Sequence, residues 1–305
     1  MKPVISVITC AHNPRSDYLE QVLKSLQKQT LVKGSWEYLL IDNASDDPLA
    51  ARIDLSWHPN TLHIREEKLG LTHARLRGIR ESTGELLVFV DDDNVLDADY
   101  LEQTWRLSRE WPLLGAWGGQ VRPQFETAPP EWTRKYWSRL VIREFDHDRW
   151  SNVPDLHDTM PSGAGLCARR PVAERYFEYH QNGQRRLTMD RTGDSLLSGG
   201  DTDLAATACD IGLGTGLFSS LKLTHLIPRE RLEEDYLAKL LEGLAFSGVV
   251  FNSFRANGST KETISLKTRI GDVLRLSLMD RRERRFFRAV RRGETNAAQF
   301  LSNQY

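Results

Sequence analysis

The chain has 305 residues, of which 40% are hydrophobic and 27% are charged, and its formal net charge is −1. This composition is ordinary for a soluble globular protein, and a chain of this length can bury a large core in one domain, with or without an appendage. The balanced charge argues against a surface built for nucleic acid, so no nucleic-acid partner is expected.

The N-terminal third alternates between strand and helix patterns. The first apolar run, VISVIT, predicts a strand buried on both faces. Leu19, Val22, Leu23 and Leu26 recur with the spacing of one helical face. Strands are predicted at 4–9, 36–42, 61–65 and 85–90, and helices at 17–30 and 71–84. This order predicts an α/β domain with a mostly parallel central sheet flanked by helices.

Polar clusters follow three of these strands. AHNP comes after the first strand, DNASDD after the second and DDDN after the fourth. In open α/β sheets, ligands bind beyond the carboxyl ends of the strands. The sequence therefore predicts a ligand site at that edge of the sheet.

The middle of the chain is less regular. A strand and turn are predicted at 113–123, and 124–160 is predicted to be loop. GAGLCARR predicts a glycine-rich strand entry, followed by a helix with Pro171 in its first turn. A helix opened by a turn is predicted at 198–212 and a strand at 217–228.

The chain from residue 229 onward has a helical pattern and is locally basic. The stretch 267–292 holds ten Lys or Arg against three Asp or Glu. One interpretation is a solvated helix face, and the other is peripheral contact with anionic lipid. We predict a globular domain over 1–228 and a helical, basic extension over 229–305.

Cysteine usage and hydropathy bear on the compartment. Cys10, Cys167 and Cys209 lie far apart without a CxxC pair, which favours a reducing compartment and excludes a zinc site built from cysteines. The N-terminal apolar run is too short for a signal peptide. LAFSGVVF falls short of the about 20 residues that a membrane span needs. A cytoplasmic location is expected, with the basic tail open to contact with the inner face of a membrane.

Three consecutive aspartates follow the fourth predicted strand, in FVDDDNV (89–95). Like charges at the end of a buried strand repel each other, and a divalent cation would neutralise them. Mg²⁺ and Mn²⁺ are usually held by one or two carboxylates together with substrate phosphates. The alternative is a solvated acidic turn that caps the following helix in DADYLEQTW.

Several ordered motifs over residues 4–228 resemble the inverting glycosyltransferases of family 2, which have the GT-A fold, a Rossmann-like fold of nucleotide-diphospho-sugar transferases. They are VITCAHNP, LLIDNASDD, KLGLTHARLRGIRESTGELLVFVDDDN, GGDTDL and THLIP. The resemblance implies a nucleotide-sugar-binding half over 1–110 and an acceptor and catalytic half over 111–228. The nucleotide-sugar residues that it implies are Ala11, His12, Asp42, Gly70, Arg75, Asp91, Asp92 and Asp93.

The resemblance also implies roles for the later motifs. Asp201 in GGDTDL would be the catalytic base, with Asp203 as the second candidate. Asp93 and His225 would hold the metal, Mn²⁺ or Mg²⁺. The implied acceptor residues are Gly163, Ala164 and Gly165. By residue type, Trp132 could stack on a sugar ring, and the alternative is core or loop packing.

On this resemblance the protein moves a sugar from a nucleotide-diphospho-sugar, with UDP as the expected nucleotide, to a glycan or lipid-linked acceptor in glycan biosynthesis. A carboxylate takes the proton of the acceptor hydroxyl, and the anomeric carbon is inverted in a single displacement. Two alternatives stay open. One is a haloacid-dehalogenase-like phosphatase with Asp91 as nucleophile and Asp93 as acid/base. The other is an inactive binding module, which the departures at Ala11, His12 and Gly200 would explain.

Four of the predicted site residues also have purely structural interpretations. Asp201 could be the N-cap of the helix DLAATACD, and Asp42 could hold the turn that follows it. Arg75 could be an exposed helix arginine, and His225 a half-buried histidine at a strand end.

Overall fold

The structure, a computed structural model, describes residues 2–153, 157–183, 197–255, 271–272 and 275–303. The described residues fall into two compact units. The first comprises Met1–Glu126, Leu140–Thr188 and Gly200–Ile227, and the second comprises Thr127–Arg139, Met189–Gly199 and Pro228–Tyr305. The predicted boundary at residue 228 lies where the second unit resumes, and the structure adds the segment 127–139 to that unit.

The first unit carries a sheet and its helices. Its strands are β1 (Ile5–Ala11), β2 (Trp36–Asn43), β3 (Thr61–Glu66), β4 (Leu86–Phe89), β5 (Asn94–Leu96), β6 (Leu114–Phe125), β7 (Arg149–Ser151), β8 (Leu166–Arg169) and β9 (Gly214–Ile227). Its α-helices are α1 (Ser16–Gln27), α2 (Leu71–Glu81), α3 (Tyr100–Glu110), α4 (Arg170–Gln181) and α5 (Gly200–Asp210).

The sheet has the order β3-β2-β1-β4-β8-β6-β9-β5, with β7 paired to β9. The strands β3, β2, β1 and β4 run parallel, as predicted for the N-terminal third. β8 is antiparallel to both β4 and β6, while β6 and β9 are parallel. The α/β class is therefore confirmed, with a parallel first half and a mixed second half.

Burial explains why these segments form their elements. All eight residues of β2 are buried, as expected of a strand covered on both faces. The predicted apolar face of α1 is confirmed, because Leu19, Val22, Leu23 and Leu26 all pack into the core.

Two predictions for the middle of the chain were wrong, and one short strand before it was not predicted. The predicted strand and turn at 113–123 form a single strand, β6. The predicted loop contains a 3-10 helix, Glu131–Leu140, and the short strand β7. The three-residue strand β5 was not predicted, because nothing local holds it: it forms by antiparallel pairing with β9. That pairing places Asn94 opposite His225.

The second unit contains the helices α6 (Glu234–Arg255) and α7 (Arg281–Ser302). The helix α7 begins with a capping box, in which Asp280 accepts from the backbone of Glu283 and the Glu283 side chain accepts from the backbone of Asp280. Its buried residues follow helical spacing: Phe286, Ala289, Gly293 and Ala297. Of the basic stretch, residues 267–270 and 273–274 lie outside the described residues.

In the part of the chain that the structure describes, no helix combines the length and the apolar character needed to cross a bilayer.

A stability prediction follows from Gly119 in β6. A Cβ at this position would overlap the backbone carbonyl of Leu221, where the pairing of β6 with β9 shifts register. We expect Gly119→Ala to lower the free energy of unfolding by about 1–3 kcal/mol, measured by urea denaturation. Gly34→Ala is the matched control, because an added Cβ there would have nothing within 4 Å. Equal losses in the two variants would contradict this account of Gly119.

Candidate active site

Asp93 and His225 come together at the end of the sheet through the pairing of β5 with β9. Both side chains are buried, and the Oδ2 atom of Asp93 lies 3.4 Å from Nε2 of His225. The other carboxylate oxygen of Asp93 accepts a hydrogen bond from the Asn94 side chain at 2.8 Å. His225 is buried rather than half-buried, with 4% exposed, and its role as a metal ligand stays a prediction.

The hydrogen bonding of His225 determines which ring nitrogen faces the carboxylate as an acceptor. Its Nδ1 lies 3.1 Å from the carbonyl oxygen of Leu140. Because a carbonyl oxygen only accepts, Nδ1 carries the hydrogen and donates it. In the neutral ring, the lone pair of Nε2 then points to Asp93, and two acceptors at this distance repel unless a proton or a cation lies between them. A backbone carbonyl behind the ring is also how metal-binding histidines are oriented.

Asp91 is the first aspartate of the triplet, and it is half-buried. Burial raises the pKa of its carboxyl group, and the negative charges of Asp93 and Asp201 act in the same direction. The positive charge of Arg75 opposes them. Arg75 is 3% exposed, so the interpretation as an exposed helix arginine is wrong. The basic side chain is instead buried next to an acidic cluster.

Asp92 is half-buried. Burial raises the pKa of the Tyr38 hydroxyl, and the negative charge of Asp92 acts in the same direction. The triplet does not cap the helix α3. That helix begins after Asp99, and the strand β5 lies between it and the aspartates. Asp92 and Asp93 do lie in a turn, but Asp93 is buried and the triplet caps no helix, so the capping part of the solvated-turn interpretation is wrong.

Asp201 is anchored at the start of α5. Its Oδ2 atom accepts a hydrogen bond of 2.6 Å from the backbone N–H of Gly163, and its Oδ1 atom accepts from Thr202. It is the second residue of α5, so it is not the N-cap residue. A Cβ on Gly163 would lie 2.9 Å from an Nη atom of Arg75 and 3.2 Å from Oδ2 of Asp201. Glycine at this position lets the arginine and the carboxylate approach each other.

The second candidate for the base, Asp203, is placed differently. It is 3% exposed, whereas Asp201 is half-buried. A proton acceptor must reach the hydroxyl of an incoming acceptor. Exposure therefore favours Asp201 of the two.

Arg143 also belongs to this region, although no sequence motif indicated it. It donates a hydrogen bond of 2.8 Å to the carbonyl oxygen of Met160. Burial lowers the pKa of its guanidinium group, while the charges of Asp201 and Asp158 oppose that shift. It lies in a segment predicted to be loop, and its backbone pairs with Val121 of β6. No sequence pattern marks this pairing.

Asp42 closes the turn after β2. Its carboxylate accepts hydrogen bonds from the backbone N–H groups of Ser45 and Leu49 and from Arg65. Burial acts to raise the pKa of Asp42, but these donors outweigh it and hold the pKa below its usual value. The structural role in the turn is therefore present, and contact with the nucleotide base stays a prediction.

The loops around β1 and α2 are linked by Asn43, which was not among the predicted site residues. Its side chain accepts from the backbone N–H of Gly70 at 2.8 Å. Gly70 precedes α2 with φ of 133°, a conformation that favours glycine. His12 is exposed and donates from Nδ1 to the carbonyl oxygen of Asn43, whereas Ala11 is buried at the end of β1. An asparagine directly after the predicted strand at 36–42 was the available signal.

The glycine-rich segment before β8 packs tightly. Gly165 has φ of +69°, and its carbonyl oxygen accepts a hydrogen bond of 2.6 Å from the Tyr100 hydroxyl. Ala164 is buried. The segment thus has a fixed backbone next to Asp201, and its contact with the acceptor stays a prediction.

Trp132 lies in the second unit. The guanidinium carbon of Arg282 lies 4.2 Å from its ring centroid, and its ring centroid is 6.1 Å from that of Phe286. These contacts give Trp132 a packing role, and its stacking on a sugar stays a prediction.

Asp93 and His225 are chemically suited to a divalent cation. Among the described residues, no group of three or more His, Cys, Asp or Glu side chains could hold a metal ion. Mg²⁺ and Mn²⁺ sites at nucleotide substrates need only one or two protein ligands, because phosphate oxygens complete the shell. The facing acceptor atoms of Asp93 and His225 fit that requirement.

Comparison with known proteins bears on the family. The model of the family described as Glycosyl transferase family 2 matches residues 6–173, more than half of the chain. The chain belongs to glycosyl transferase family 2. It is 30% identical over 104 residues to glycosyltransferase AglE of Haloferax volcanii, a match that covers 33% of this chain and 34% of AglE. The chain spans less than half of the length of the curated relatives that it matches.

Solved structures agree on the fold. Mannosyltransferase PcManGT from Pyrobaculum calidifontis, in complex with GDP-Man and Mn²⁺, aligns with a TM-score of 0.59 at 15% identity, over 97% of this chain and 87% of that one. TarS 1–349 of S. aureus in complex with UDP aligns with a TM-score of 0.53 at 15% identity, over 100% and 93%. The predicted GT-A fold and the predicted family are confirmed, and membership of a glycosyltransferase family speaks against the phosphatase alternative.

Proposed function

We propose that this family 2 glycosyltransferase moves a sugar from a nucleotide-diphospho-sugar to an acceptor hydroxyl with inversion, and that Asp201 is the base. The observation that carries the proposal is that the candidate base and the candidate metal ligands lie close together within the first unit. Asp201 is held by the N–H of Gly163, its charge acts on Asp91, and Asp91 also interacts with Asp93 and His225. Acidic groups for the donor and for the acceptor therefore lie in one site.

The donor end of the proposed site is the carboxyl edge of the parallel strands. Ligands of open α/β sheets bind there, and the edge carries Ala11, His12, Asp42 and the aspartate triplet. The fold neighbours were solved with GDP-Man, with UDP and with UDP-GlcNAc, which supports a nucleotide-sugar donor. Arg75, buried beside Asp91, supplies positive charge for the phosphates.

A divalent cation, Mn²⁺ or Mg²⁺, would be held by Asp93 and His225. When bound, it would neutralise the charge that develops on the departing diphosphate. The Leu140 carbonyl keeps the proton on Nδ1 of His225, and Asn94 holds the carboxylate of Asp93 in place. These two supporting contacts orient both side chains before any ligand arrives.

Asp201 has the properties that a base for the acceptor hydroxyl requires. Each of its oxygens accepts one backbone hydrogen bond, which fixes the carboxylate and leaves lone pairs to take a proton. A single displacement with one base inverts the anomeric carbon, since no covalent sugar–enzyme bond forms. Gly163 to Gly165 would border the acceptor, a glycan or a lipid-linked sugar.

Domain roles extend this proposal. Residues 1–110 would bind the donor, 111–228 would bind the acceptor and carry the base, and 229–305 would form the extension. The protein would act in the cytoplasm, with the basic stretch in peripheral contact with the inner face of a membrane.

A nucleotide-sugar panel tests the function. The full chain is heated with UDP-, GDP- and dTDP-sugars, with and without Mn²⁺, because a ligand of the folded state raises its melting temperature. We expect one donor class to raise it, with a larger shift when Mn²⁺ is present. The donor is then incubated with acceptors, and the product anomer is read by NMR. A product of retained configuration would contradict the proposal. Donor binding without turnover would favour the alternative of an inactive binding module.

A further inference from the structure

The helix α7 carries a row of arginines along one exposed face. Arg281, Arg285, Arg288 and Arg292 follow each other at intervals of four, three and four residues, and all four are exposed. This spacing stacks them along about 16 Å of helix. Like charges at these intervals destabilise a helix unless something of opposite charge lies over them.

Acidic residues of α6 form ion pairs with only two of these four arginines. Arg285 pairs with Asp235, and Arg292 pairs with Glu242 at 2.8 Å. Arg281 and Arg288 have no acidic partner among the described residues. The row therefore alternates between a satisfied and an unsatisfied guanidinium group.

These arginines border one cleft. Its volume is about 780 Å³, and Arg282 lines it together with the row. Two carboxylates also line it, but both are already engaged. Glu234 pairs with Arg282 at 2.6 Å, and Asp280 accepts the capping hydrogen bond from Glu283. Three of the five lining arginines are paired with carboxylates, so Arg281 and Arg288 supply the uncompensated positive charge of the cleft.

The guanidinium groups of the cleft indicate which class of ligand it would bind. Guanidinium groups match phosphate oxygens with paired, charge-assisted hydrogen bonds. The apolar side of α7, with Phe286 and Ala289, is buried, so it is not available to insert into lipid tails. We propose that this cleft binds the phosphate groups of a diphosphate or phosphodiester ligand. Such groups occur both on soluble phosphorylated molecules and on lipid headgroups.

The test uses the full chain in EDTA, so that the proposed metal site does not contribute. Tripolyphosphate is titrated by calorimetry, and vesicles of phosphatidylglycerol with phosphatidylcholine are co-sedimented with the protein. The double variant Arg281→Gln with Arg288→Gln removes the two unpaired charges and breaks no described ion pair. We expect its Kd for tripolyphosphate to rise by about tenfold or more, because hydrogen bonds between charged groups are lost.

The matched control is Arg284→Gln with Arg139→Gln, which removes the same charge from exposed arginines of the second unit that do not line the cleft, and it also breaks no described ion pair. Its Kd should stay within about twofold of the wild-type value. Equal weakening in both variants would overturn the proposal, and so would the absence of binding to both tripolyphosphate and vesicles. Binding to vesicles alone, if lost only in the cleft variant, would support the proposal and assign the phosphate to a lipid headgroup.

This inference stands apart from the proposed sugar transfer. The nucleotide-sugar melting shift is expected to be the same in the cleft variant, the control and the wild type. A loss of that shift in the cleft variant alone would contradict the assignment of Arg281 and Arg288 to a separate site.

Discussion

Replacing Asp201 by asparagine is expected to lower the turnover number of sugar transfer by about 10²–10⁴-fold, the range that a general base contributes. The amide cannot take the proton of the acceptor hydroxyl. Its oxygen can still accept the hydrogen bond from Gly163, so the start of α5 should keep its place. The measurement is initial-rate kinetics with the donor identified by the melting panel, together with the Kd of that donor, which should change little.

Asp203→Asn is the variant that separates the two candidates for the base. Asp203 is buried in the same helix, so its replacement should act on the melting temperature rather than on turnover per folded molecule. If Asp203→Asn abolished turnover in the folded protein while Asp201→Asn kept near-normal transfer, the assignment of the base would pass to Asp203.

Replacing Asp93 by asparagine is expected to remove the Mn²⁺-dependent part of donor binding. The loss of affinity should reach at least the about 10–100-fold that follows removal of a group that only supports a metal ligand. Asn94 can still donate to the amide oxygen that replaces the carboxylate, so folding should be preserved. The Kd of the donor is measured across a Mn²⁺ titration, and His225→Ala should show the same loss.

Asp92→Asn is the matched control for this experiment. It makes the same chemical change one residue away in the same triplet, at a side chain that is half-buried rather than buried. The Mn²⁺ dependence of donor binding should persist in it. If Asp92→Asn lost that dependence and Asp93→Asn kept it, the order of roles within DDD would be wrong.

Several features of the candidate site were visible in the linear sequence because they have local causes. Buried strands ending in polar residues predicted the edge where Asp42 and the triplet lie. The glycine before α2 and the aspartates of GGDTDL were singled out only by their resemblance to known motifs. Their resemblance to known motifs supplied the family, which the match over residues 6–173 confirms.

Other features had no local cause. Arg143 reaches the region of Asp201 because its backbone pairs with Val121, and the sequence predicted only a loop there. The strand β5 has three residues and forms only against β9. By residue type, Trp132 was predicted to stack on a sugar ring. In the structure it contacts Arg282 and Phe286, which belong to the distant helix α7. Long-range pairing of this kind leaves no periodic signal in one sequence.

The sequence by itself determined the α/β class, the parallel order of the first strands and the residue types that could bind a nucleotide-sugar, because hydrophobic period and turn chemistry are local properties. Only the tertiary structure decided which of those residues meet. The register that sets Asn94 opposite His225 brings the metal candidates together. The hydrogen bond from Gly163 brings Asp201 to Arg75 and Asp91. The two candidates for the base differ in exposure, which is a property of the packed chain: Asp201 is half-buried and Asp203 is buried.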